Sequence, residues 1–90
     1  MRRKRYEALI RLGVHYAEQH DDAMRHAYEA RDERDEFGYR EHQKEMSRFA
    51  SKLEALGEAA PEVFGESYDS FMARVGDAKM KNKSSQEVSS

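Results

Sequence analysis

The 90-residue chain has no cysteine, no tryptophan and a single proline, and Leu, Ile, Val and Phe together supply 13 residues, about one in seven. Without cysteine there is no disulfide to staple a small fold and no thiolate to hold a metal or act as a nucleophile. Large apolar side chains this scarce leave a thin core for a single domain. No run of 18 apolar residues exists, which excludes a membrane-spanning helix. The basic start, MRRKRYEALIRLG, has its short apolar stretch broken by Arg11, too early for a secretory signal. A cytoplasmic setting is the natural expectation. Charge of one sign is also lacking: 16 basic and 18 acidic residues give a net charge of −2, so the chain is neither a polyanion nor a strongly basic nucleic-acid binder.

What is present is helical periodicity. Tyr39, His42, Gln43, Met46, Phe49, Ala50, Leu53 and Leu56 fall within one arc of about 140° at 100° per residue, and charged residues fill the rest of the circle. Upstream, Tyr6, Leu9, Ile10, Gly13, Tyr16, Ala17, His20, Met24, Ala27 and Tyr28 hold one phase for six turns. That predicts a first helix over 3–34, continuous through Gly13 and through the Asp21–Asp22 pair, which offers an alternative cap. The polar stretch ARDERDEFGYRE then predicts a turn near 35–38, with Gly38 as the left-handed residue that closes the helix.

Gly57 is expected to end a second helix over 39–56, with GEAAP as a short connection. Pro61 suits the first turn of a third helix over 61–75, where its missing N–H is harmless, and Gly76 is the expected stop. The residues from 77 to 90 are almost devoid of apolar content and read as a disordered tail beyond a helical domain over 1–76. The expected fold is therefore all-α: a small three-helix protein with a long antiparallel helical hairpin, a shorter third helix and a polar tail. A competing expectation is one helix over 6–56, paired as a coiled-coil dimer, because the apolar phase carries across the polar gap.

No catalytic constellation emerges. The chain has no Gly-x-Ser-x-Gly, no phosphate-cradling glycine loop and no dinucleotide fingerprint. It is read as a non-enzyme without cofactor or metal. His15, His26 and His42 each precede a glutamate by three residues, but this reverses the Glu-x-x-His order of di-metal bundles. His20 and His42 lie on apolar faces and suggest a histidine-dependent, pH-sensitive contact.

Three surfaces are candidates for binding. Tyr39, His42, Met46 and Phe49 form the apolar stripe expected to meet a partner or a second copy. Glu29, Asp32, Glu33, Asp35 and Glu36 make an acidic knob that would suit a basic groove on a nucleic-acid enzyme. Arg2, Arg3, Lys4 and Arg5, helped by Arg11 and the lysines of the tail, are the candidate nucleic-acid contact.

Charge is segregated along the chain: +4 over 1–11, −5 over 12–38, +1 over 39–57, −4 over 58–77 and +2 over 78–90. A thin core without staples needs self-association or a partner to complete it. The expected function is protein–protein interaction by a small adaptor or inhibitor of a larger machine, a style common among phage and plasmid accessory proteins. A nucleic-acid-binding accessory protein and a structural coiled-coil subunit are the alternatives.

Overall fold

The chain reverses direction over three residues, 33–35, and this turn positions everything else. In the computed structural model, which describes the backbone over residues 2–89 and side chains over 4–82, the helices are α1 (Arg2–Asp32), α2 (Glu36–Phe64) and α3 (Tyr68–Ser89). The fold is a small three-helix, all-α protein with a long antiparallel hairpin, and the continuous helix over 6–56 is not formed. α1 runs unbroken through Gly13 and through Asp21–Asp22, as the steady apolar phase predicts.

The turn is closed by Arg34, not by Gly38. Arg34 has φ 60°, the positive-φ residue other than glycine among the described residues. Its N–H donates to the Arg31 carbonyl at 3.1 Å, and the Asp35 N–H donates to the Ala30 carbonyl at 2.8 Å. These two bonds make a Schellman closure. Gly38 instead lies in the first turn of α2, where its N–H donates to the Asp35 side chain at 2.9 Å. A Cβ at Gly38 would collide with that carboxylate.

α2 also runs past its expected end. Gly57 is mid-helix and buried, and a Cβ there would lie 2.6 Å from the Tyr68 ring and 3.6 Å from the Met72 sulfur. The missing side chain makes room for α3; it does not stop a helix. Pro61 is inside α2 and not at the start of a third helix. It has no N–H for the carbonyl four residues back, which interrupts one rung without ending the helix. Gly65, at φ 73°, ends α2, with its N–H donating to the Pro61 carbonyl at 3.1 Å.

α3 starts where Ser67 caps it, its hydroxyl accepting from the Ser70 N–H at 3.1 Å. It does not stop at Gly76. The tail boundary expected at residue 77 is absent, because Ala78 packs against the core and Lys79 donates to Asp21 at 2.8 Å, tying the next turn to α1.

Along the hairpin, Tyr6 meets Phe64 at the open end, with ring centroids 5.1 Å apart. Tyr16 meets Phe49 midway at 6.4 Å, and His26 meets His42 near the turn at 5.3 Å. The core gathers where α3 crosses the hairpin: Val14, Ala17, Ala60, Phe71 and Val75, with Leu9, Ile10, Leu53 and Leu56 around them. Toward the turn the buried apolar residues of α1 are Ala23, Ala27 and Ala30. These small side chains let two helices approach closely while burying little area.

Candidate interaction surface

The residues predicted to meet a partner, Tyr39, His42, Met46 and Phe49, lie on the α2 face that turns toward α1, and all four are half-buried. Their inner edges are occupied. Phe49 lies beside Tyr16, and the Lys52 ammonium sits 5.5 Å and 5.6 Å from the two ring centroids. The Tyr39 hydroxyl accepts from the Gln43 amide at 2.9 Å, one turn along the helix. His42 packs against the His26 ring, whereas the His20 Nδ1 lies 3.7 Å from an Asp21 oxygen. The His42 Nδ1 is buried with no hydrogen-bond partner, and the nearby Glu45 carboxylate, at 3.8 Å, is beyond bonding distance. Two histidines from neighbouring helices thus share the seam near the turn. Among the described residues, no group of three His, Asp or Glu side chains is placed to hold a metal ion.

The acidic residues Glu29, Asp32, Glu33, Asp35 and Glu36 are all exposed around the hairpin tip. Asp35 is committed to capping α2. Arg31 and Arg34 stand among them, with the Arg31 guanidinium 5.4 Å from the Tyr28 ring centroid. A shallow cleft of about 290 Å³ is lined by Arg31, Arg34, Asp35, Glu36 and Tyr39. Phe37, 76% exposed, protrudes from the same tip. It falls outside the apolar arc of its helix, so periodicity gave no reason to pick it; only the position of the turn shows that it projects.

The basic candidates are only partly described. Lys4, Arg5 and Arg11 are exposed on α1, while the side chains of Arg2 and Arg3 lie outside the described residues. Lys79 is engaged by Asp21, and Lys81 is exposed. Beside the basic start, Tyr6 is held by Phe64 and Phe71, with the Arg74 guanidinium 5.6 Å from its ring centroid. Burial, and secondarily the charge of Glu66, push the Tyr6 phenol above its ordinary value, with Arg74 opposing them. No helix of the described residues is long and apolar enough to cross a membrane.

Comparison with known protein families, with characterised proteins and with solved structures finds no match for this chain.

Proposed function

We propose that this chain is a non-enzymatic protein–protein interaction module, an adaptor or inhibitor that works in complex with a larger machine or with itself. The observation that carries this reading is Phe37, 76% exposed on the same hairpin tip as the cleft of about 290 Å³ lined by Arg31, Arg34, Asp35, Glu36 and Tyr39: an aromatic side chain rimmed by charged residues has the make-up of an interface anchor.

The acidic hairpin tip gives the module its preference for a basic partner surface, including the grooves of nucleic-acid-directed enzymes. The test is affinity capture of the whole chain, at physiological salt, from the cells that make it. One stoichiometric protein partner, or stable self-association, is the expected result. A monomer that captures nothing under gentle conditions overturns the proposal.

A further inference from the structure

Near the turn, α1 and α2 bring two imidazoles together across the seam. His26 is exposed on α1 and His42 is half-buried on α2. Their ring centroids lie 5.3 Å apart, with the planes inclined at 42°. The other two histidines are engaged on α1 itself: the His15 ring is 5.8 Å from the Tyr16 ring, and the His20 Nδ1 is 3.7 Å from an Asp21 oxygen.

The separation of the pair suits a shared ion. Bonds of about 2.0–2.1 Å from one tetrahedral cation to two imidazole nitrogens hold the ring centroids about 5 Å apart. One nitrogen of the pair is also unmatched. The His42 Nδ1 is buried without a hydrogen-bond partner, a costly state for a polar atom. A cation bound there removes that cost. The Glu45 carboxylate, 3.8 Å from the same nitrogen, is too far to accept a hydrogen bond but near enough to offset the charge of an ion. The surroundings would gain from such a link. Toward the turn the buried residues of α1 are Ala23, Ala27 and Ala30, which bury little area, and the chain has no cysteine to staple them.

We infer that His26 and His42 form a two-imidazole site for a late first-row divalent cation, zinc being the test ion, which ties α1 to α2 near the turn. Imidazole favours zinc, copper and nickel over magnesium and calcium, which prefer oxygen donors. Among the described residues no third His, Asp or Glu is in place beside the pair, so water completes the coordination. The ion is accordingly exchangeable and held less tightly than in a closed four-ligand site. The reversed Glu-x-x-His order argues against a di-metal bundle, but it does not bear on a site made by imidazoles from two helices. Because the ion binds only the folded hairpin, it stabilises the fold by mass action. The site uses neither Phe37 nor the acidic residues of the tip, so it stands or falls separately from the partner reading above.

The test is isothermal titration of zinc chloride, up to about 1 mM, into the whole chain in a buffer that does not bind the ion. Thermal melts of the same samples are followed by circular dichroism. The expected result is one ion per chain and a melting temperature raised by several degrees at about 100 times the dissociation constant, reversed by a chelator. His26→Gln, at an exposed position, should keep the fold, weaken binding by about tenfold or more and abolish the shift in the melt. His42→Gln should act in the same direction. His15→Gln should change neither reading, and magnesium chloride at the same concentration should leave the melt where it is. The inference is overturned if zinc does not bind, if binding is indifferent to His26→Gln or is equally lost in His15→Gln, or if magnesium shifts the melt as zinc does.

Discussion

Gly13 and Gly76 both lie within helices of the fold, yet their surroundings give opposite outcomes to the same substitution. A Cβ on Gly13 would lie 2.8 Å from Val75 Cγ2 and 3.3 Å from the Phe71 ring, two residues with almost no exposure and no room to yield. Overpacking of that kind costs about 1–3 kcal/mol, more than the ~1 kcal/mol of helix propensity gained. Gly13→Ala is therefore expected to lower the melting temperature by several degrees. A Cβ on Gly76 meets nothing within 4 Å, so Gly76→Ala keeps the propensity gain of about 0.5–1 kcal/mol and should raise it. Paired thermal melts decide both.

Tyr6 supplies a pH-dependent prediction at the same scale. Its phenol is raised in the fold, so the folded state holds the proton more tightly than the unfolded chain, where it is released near 10.0. Stability from this group is fully present below that value and declines as pH rises beyond it. Urea unfolding at pH 8 and pH 10.5 should show the loss, and Tyr6→Phe should reduce it. Because the Tyr6 hydroxyl is buried without a hydrogen-bond partner, its removal is not expected to destabilise the protein at pH 8.

Among the elements, the hairpin turn is the one whose chemistry departs furthest from its sequence signature. Arg34 adopts a left-handed conformation that costs a residue with a Cβ about 1–2 kcal/mol, partly offset by the chain entropy a glycine would lose. Arg34→Gly should accordingly stabilise the protein by about 0.5–1 kcal/mol, read from the chemical denaturation midpoint. The same region shows how far the sequence was legible. The steady apolar phase from Tyr6 to Tyr28 and again from Tyr39 to Leu56 identified both hairpin helices, and the polar gap pointed to the reversal without excluding a continuous helix. The punctuation was misleading because glycine serves two purposes. Gly57 is small so that Tyr68 can approach, a requirement visible only once the elements are packed, and Gly38 belongs to the first turn of α2, not to the end of α1. Pro61 likewise falls inside α2 because one interrupted rung is tolerated where Ala60 beside it is fully buried.

At the scale of the molecule, α3 crosses the open half of the hairpin and concentrates the core there, around Phe71 and Val75. The half nearer the turn is held by alanines and by half-buried Tyr39, His42, Met46 and Phe49. Capture of a basic partner at the tip predicts that Phe37→Glu weakens that capture while leaving helicity unchanged, as read by affinity capture and circular dichroism on the same preparation.

Composition and periodicity by themselves determined an all-helical chain, its two long apolar stripes and the thinness of the core, and left a hairpin and a single helix over 6–56 both open until the packing decided for the hairpin. The first three follow from local repeats and residue counts, which need no knowledge of neighbours. Tertiary structure decided which glycines are contacts and which is a cap, where α2 and α3 end, that His42 meets His26, and that Phe37 projects. Each depends on side chains distant in sequence, or on a turn set by backbone bonds between Ala30, Arg31, Arg34 and Asp35. Hydrophobic spacing carries no record of either.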